Sequence, residues 1–201
     1  MNHTIGHPPA DKELIYRILR GDTRAFGIII KNTENLVAQI VFKLVPVEED
    51  RKDIAQDIYL KVFHNLSRFK FQSKLSTWIA QIAYNTCLSW IDKKRPLLPG
   101  DIHDNDIYER SIETGYNGLF NENESEKLVF QKELTVILWK EIDGLPPIYQ
   151  TMITLYHQES MSYEDLSQIT GLPAGTVKSY LFRARKMLKE KLLSKYKKEA
   201  L

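Results

Sequence analysis

Cysteine is nearly absent from this chain, with Cys87 the only one among 201 residues. A single thiol excludes an internal disulfide and a cysteine-based zinc site, and it suits a reducing compartment. Long apolar runs are missing too. None approaches the roughly 20 residues of a membrane span, and the N-terminal MNHTIGHPPA lacks the basic-then-apolar layout of a signal peptide. A cytoplasmic location without membrane insertion is the expectation. Net charge is small, +2 at pH 7, so the total identifies no partner and the distribution must. The five histidines, His3, His7, His64, His103 and His157, are scattered without metal-ligand spacing, and Cys87 has no evident base beside it. No catalytic residue, metal site or cofactor is expected from them.

Charge is unevenly spread. Residues 1–95 carry 15 Lys and Arg against 10 Asp and Glu, residues 96–128 carry 2 against 8, and residues 129–201 carry 11 against 8. Two basic parts flank an acidic strip. No stretch alternates with the period of a strand, whereas helical spacing recurs in Leu14, Ile15, Ile18 and Leu19, in Phe26, Ile29 and Ile30, and in Val37, Ile40, Val41 and Leu44. Gly21 and Asp22 mark a stop and a new cap, and Pro46 ends the third stretch. Another helix is predicted from about Glu48 to Leu66, and one capped by Ser76 continues to Lys94 before Pro96.

From Pro96 to Glu124 the chain is rich in Asp, Asn, Glu and Gly without a sustained period, the composition of a linker that buries too little apolar surface to fold. Helical spacing resumes with Leu128, Leu134, Ile137, Leu138 and Ile142, preceded by the capping pattern of Asn123 and Glu126 and closed by Gly144. Pro146 and Pro147 open the next helix. The expected architecture is all-α. Two small helical domains, 11–95 and 125–201, follow a tail (1–10) and are joined by a flexible acidic linker (96–124).

Ser162, followed by Glu164 and Asp165, reads as a helix start suited to the positive end of the helix dipole. Leu166 and Ile169 face inward, small Ser167 permits close helix contact, and Gly171 supplies a left-handed turn. Pro173 opens a second helix. There Val177, Leu181, Ala184, Leu188 and Leu192 form a buried stripe, leaving a basic remainder. Nine basic residues and one acidic residue, Glu190, lie between Lys178 and Lys198. A charge run alone is more often a solvated face. Preceded by this turn, it is a helix-turn-helix whose second helix enters the DNA major groove, with its start near base edges and its later residues near phosphates.

At this point the string Gly144 to Leu192, with its LPP, MSYEDLS and GTVKSYLFRARKML elements, resembles region four of the extracytoplasmic-function sigma factors of the sigma-70 family. Asp53 to Leu66 is similar to region 2.2 and Ser76 to Arg95 to region 2.4. The resemblance implies a non-catalytic subunit that binds core RNA polymerase and takes it to promoters, reading a minus-thirty-five element as duplex and a minus-ten element as melted DNA. An anti-sigma partner follows from the resemblance alone.

The resemblance assigns the residues as follows. Thr176, Lys178, Ser179, Tyr180, Phe182, Arg183 and Lys186 would meet the minus-thirty-five element. Many relatives carry arginine where this chain has Tyr180, which cannot make a guanidinium's bidentate contact. On the helix of Ile54, Ile58 and Val62, the opposite face of Asp53, Gln56, Asp57, Leu60 and Lys61 would dock on the coiled coil of the polymerase's largest subunit. In the loop Ser67 to Lys74, aromatics alternate with bases, as capture of unpaired DNA requires. Phe69, Lys70, Phe71, Ser73 and Lys74, with Asn85 on the following helix, are the minus-ten candidates. Either phenylalanine could instead anchor the loop to the core, and Trp78 and Trp90 read as core. The acidic linker resembles the family's connector and could mimic a polyanion on a basic channel wall.

Two other readings fit a helix-turn-helix. A DNA recombinase would need a nucleophile on a strand-containing domain, and the first half reads as helical. An autonomous repressor or activator would bind a duplex operator unaided, often as a symmetric dimer.

Overall fold

The computed structural model describes residues 9–94 and 126–196, which form eight α-helices and one short 3-10 turn, with no strand among the described residues. The acidic linker and the Asn123 capping position lie outside the described residues, as do the side chains of Leu128 and Leu134.

Four helices make the first half: α1 (Pro9–Leu19), α2 (Thr23–Leu44), α3 (Glu48–Asn65) and α4 (Leu75–Lys94). Gly21 turns the chain at φ +98, and Asp22 caps α2 by accepting from the Ala25 N–H at 3.3 Å. The stretches of Phe26 to Ile30 and Val37 to Leu44, which the sequence pattern separates, are one continuous helix. Nothing between them breaks it, because Thr33 is buried and turns its hydroxyl back to the Ile29 carbonyl at 2.8 Å. Pro46 falls just beyond its end, and Glu48, Glu49 and Asp50 place negative charge on the first turn of α3. Ser76 lies inside the first turn of α4 rather than capping it, a two-residue difference of the kind expected at helix ends.

The second half contains α5 (Glu126–Asp143), α6 (Pro147–His157), α7 (Tyr163–Thr170) and α8 (Ala174–Tyr196). Lys191 of α8 donates to the Gly144 carbonyl at the end of α5, and Lys195 pairs with Glu141 at 2.5 Å. Pro147 occupies the first turn of α6, where a missing N–H costs nothing.

The two halves are packed on one another. Helix α2 lies against α6 and α4 against α7, and the buried side chains of both halves form a continuous cluster. Three polar links among the described residues cross the seam, one of them Lys74 to Asp165 at 3.3 Å. Lys43 pairs with Asp143, and Thr77 donates to Asp165 at 2.8 Å. The seam has no signature in the hydrophobic pattern, because its polar residues look like ordinary helix-surface positions.

Candidate nucleic-acid interface

The turn between α7 and α8 is built by local hydrogen bonds. Ser162 accepts from the Asp165 N–H at 3.0 Å while Asp165 accepts from the Ser162 N–H at 3.1 Å, a reciprocal capping box that satisfies two of the orphan donors at the start of α7. Gly171 ends the helix at φ +73, a conformation that suits a residue without Cβ. Ser167 does more than permit close approach. Its hydroxyl donates to the Leu172 carbonyl at 2.6 Å and braces the turn, while Thr170 accepts from the Leu172 N–H.

That turn sets the rotation of α8. Val177, Leu181 and Ala184 are fully buried, and the opposite side exposes Lys178, Ser179, Phe182, Arg183 and Lys186. Phe182 is 68% exposed, unusual for so large an apolar side chain on a monomer's surface. Thr176 is half-buried at the helix start. Tyr180 departs from the expected set. It is turned from the exposed face, half-buried, with its ring 5.5 Å from that of Tyr149 on α6.

The loop after α3 separates its two phenylalanines. Phe69 is 6% exposed and packs on Phe71 at 4.9 Å and Trp78 at 5.1 Å, so it is the floor of the loop. Phe71 is half-buried above it, with Lys12 5.7 Å from its ring centroid. Its backbone sits at φ +56, a left-handed conformation that is uncommon for a bulky side chain and that accumulates at functional sites. Lys70 is exposed and Ser73 half-buried, while Lys74 reaches across the seam to Asp165 at 3.3 Å. Asn85 is exposed on α4, and Trp78 and Trp90 are partly buried against the core.

On α3 the division expected from the pattern is present. Ile54, Ile58 and Val62 are buried, and Asp53, Gln56, Asp57, Leu60 and Lys61 are exposed. Leu60 is 50% exposed, a large apolar side chain on the outward face of the helix. Lys61 is tethered, pairing with Asp57 at 3.5 Å and donating to Thr86 on α4 at 3.2 Å. Burial pushes the Cys87 thiol up to about 12, the opposite of nucleophile activation. No group of acidic, His or Cys side chains that could hold a metal ion occurs among the described residues, and no described helix is long and apolar enough to cross a membrane.

Comparison with known proteins agrees with this geometry. Residues 29–96 match the family model for sigma-70 region 2, and residues 135–188 match that for sigma-70 region 4. The chain is 31% identical over 190 residues to the ECF RNA polymerase sigma-E factor of Haemophilus influenzae, covering 90% of this chain and 95% of that protein. It is 31% identical over 182 residues to the sigma-E factor of Escherichia coli K12, covering 90% and 94%. Two solved structures share the fold. CnrH in complex with the cytosolic domain of CnrY aligns over 92% of this chain and 99% of its own with a TM-score of 0.61 at 20% identity. The sigma factor RpoE in complex with the anti-sigma factor NepR from Bartonella quintana aligns over 85% and 98% with a TM-score of 0.60 at 23% identity. With both regions matched and whole-length relatives at this identity, the chain belongs to the extracytoplasmic-function sigma factors of the sigma-70 family, which direct RNA polymerase to promoters.

Proposed function

We propose that this sigma factor reads its promoter with two surfaces, one on each side of the division at residues 96–124, and docks on polymerase with a third. The exposed face of α8 enters the major groove of the minus-thirty-five element. Lys178, Ser179, Phe182 and Arg183 reach toward base edges, and Lys186 meets phosphate. Arg183 offers the bidentate fork that reads guanine, and the exposed ring of Phe182 offers apolar contact to a thymine methyl. Tyr180 has no part in this readout, because its ring is committed to Tyr149.

The Phe71 loop captures a base of the melted minus-ten strand. Phe69 and Trp78 hold the platform, Phe71 is the stacking face, and Lys70, Ser73, Lys74 and Asn85 hold the strand. Asp53, Gln56, Asp57 and Leu60 dock on the largest-subunit coiled coil, with Lys61 positioning that face through Thr86. The protein acts in the cytoplasm as a non-catalytic subunit. The structure of similar fold in which the sigma factor RpoE is bound to the anti-sigma factor NepR supports an anti-sigma protein as a further partner.

The observation that carries this reading is the rotation of α8, which buries Val177, Leu181 and Ala184 and turns a basic, carboxylate-poor face outward. Its test is promoter-directed transcription by core polymerase stripped of other sigma subunits. Adding the chain should produce initiation at defined sites. An autonomous repressor would bind duplex operator unaided and leave the core enzyme inactive.

A further inference from the structure

The loop proposed to capture the melted strand and the helix-turn-helix meet across the seam. Lys74, the last residue of the loop, reaches Asp165 Oδ2 at 3.3 Å, and Thr77, in the first turn of α4, donates to Oδ1 at 2.8 Å. The carboxylate cannot follow the loop if the halves part. Its Oδ2 also accepts from the Ser162 N–H, and this capping box fixes Asp165 at the start of α7. A fixed anion is therefore presented to the loop, and Glu164 beside it makes the first turn of α7 doubly acidic.

That contact is incompatible with reading a promoter. Elements named for positions minus ten and minus thirty-five lie about 25 base pairs apart, roughly 85 Å of B-form duplex at 3.4 Å per pair. Here the loop touches the first helix of the upstream reader, and α8, 23 residues or about 35 Å long, is too short to span the difference. Both elements are reached only with the seam open. In the closed arrangement the acidic turn of α7 also faces the position beside Lys74 where a captured strand would bring its phosphates, and like charges repel there.

Lys74 is not what holds the seam. Its side chain is 57% exposed, and a pair so open to water is worth little. The closure comes from the packing of α2 on α6 and α4 on α7, from the buried Thr77, and from Lys43 and Asp143, whose paired side chains are 10% and 12% exposed. Removing Lys43 would leave the Asp143 carboxylate buried and uncompensated, a charge that regains water when the halves part. We infer that the free chain is latched in a self-inhibited form, with the acidic start of α7 occupying the strand-capture loop as a decoy that polymerase must displace. This rests on the reading of the Phe71 loop as the strand-capturing site.

The test uses the full chain, free and assembled with core polymerase. Cys87 is buried, so Glu34→Cys on α2 and Glu190→Cys on α8, both at exposed positions, take spin labels selectively. Pulsed electron resonance reads the distance between them. Fluorescence anisotropy reads binding of a single-stranded minus-ten oligonucleotide taken from a start site that the assembled polymerase uses. The free chain should show one short distance that lengthens on assembly. Lys43→Met should lengthen it without polymerase and tighten oligonucleotide binding about ten- to a hundredfold, the gain when an open form of about 1 to 10% becomes the major one. Thr77→Val, which unties one bond and keeps the capping box, should tighten binding roughly two- to tenfold. Once assembled with polymerase, all three chains should bind alike.

A free chain whose labels already stand as far apart as in the assembled enzyme would overturn the latch. An unchanged distance in Lys43→Met would overturn it too, as would an opened Lys43→Met chain that binds the oligonucleotide no better than the parent. If Lys43→Met does not fold, Thr77→Val carries the same two readings, and parental distance and affinity there have the same force. Phe71→Gly tests the strand-capture reading separately. Full oligonucleotide affinity in that variant, assembled with polymerase, would place the strand elsewhere, while the labels still report whether the free chain is closed and whether Lys43→Met opens it.

Discussion

Asp165 closes the capping box of α7 and, with its other oxygen, accepts a hydrogen bond at 2.8 Å from Thr77 on α4, 88 residues earlier in the chain. One carboxylate therefore starts the helix-turn-helix and ties it to the other half of the molecule. Lys74 approaches the same carboxylate at 3.3 Å, so in this packed arrangement a residue proposed to hold the melted strand is occupied by a protein anion. The α2 and α6 side of the seam is less well satisfied. Asp143 Oδ2 is buried there without a hydrogen-bond partner among the described residues, while Oδ1 of the same carboxylate pairs with Lys43. Buried polar groups left unpaired make a seam easier to separate than an apolar core.

Asp165→Ala is expected to lower unfolding stability by about 2 to 3 kcal/mol, from a lost N-cap contact and a buried Thr77 hydroxyl left without its acceptor. Thr77→Val removes both the donor and its need for a partner, so it should cost less. Urea unfolding of the full chain checks the order, and equal losses would mean that the bond across the seam is not what matters.

Acid should act through the same group. Burial raises the Asp165 carboxyl, but hydrogen bonds from Thr77 and Ser162 and the charge of Lys74 outweigh it and hold the group below its ordinary value of 3.8. A carboxylate depressed on folding stabilises above its unfolded value, and that stability drains away as pH falls through the folded value. The unfolding midpoint should therefore hold between pH 7 and about pH 5 and drop below about pH 4. Asp165→Asn should be less stable at neutral pH and lose less on acidification. Parallel curves for the two proteins would remove Asp165 from the acid response.

The two phenylalanines of the loop should separate by substitution. Phe69→Ala empties a core position and is expected to cost about 3 to 5 kcal/mol. Phe71→Gly removes the ring while relieving a left-handed backbone strain of order 1 kcal/mol, so it should fold about as well as the parent and still fail in promoter melting. Permanganate reactivity of the minus-ten region, measured with the assembled polymerase, is the readout. Full reactivity in Phe71→Gly would show that no base stacks there.

How far the sequence could lead is clearest in these elements. The capping box, Gly171, the α8 stripe as far as Ala184, beyond which Leu188 and Leu192 are only half-buried, and the core face of α3 are set by near neighbours in the chain, and spacing alone reveals them. The role of Ser167 was visible only as smallness, since a hydroxyl's choice of carbonyl depends on the turn it helps to make. Long-range matters were hidden. Nothing local distinguishes Phe69 from Phe71, because burial of Phe69 depends on Trp78 arriving from the next helix. The stack of Tyr156, on α6, against Tyr163, on α7, was likewise out of reach, as its two rings come from different helices.

Arg183→Ala is expected to cost about 1 to 3 kcal/mol of preference for the cognate minus-thirty-five element, the worth of one bidentate base contact. Competition between cognate and scrambled duplexes for the assembled polymerase measures it. Equal weakening on both would move Arg183 from base to phosphate.

Tyr180 offers the complementary case, a residue in the recognition helix that should leave recognition alone. Its ring lies against Tyr149 at 5.5 Å with planes tilted by 46°, so removing it opens a gap between α6 and α8 rather than a vacancy in the groove. Tyr180→Ala should lower the unfolding midpoint, whereas Tyr180→Phe keeps the packed ring and should leave both stability and promoter choice nearly unchanged. Tyr180→Arg would place a guanidinium on a half-buried flank, where desolvation opposes it. It should therefore destabilise the second half without adding a base contact. A variant that folded as well as the parent and gained preference at one base pair would show that position 180 can turn to the DNA, and with it that α8 is free to rotate when it binds.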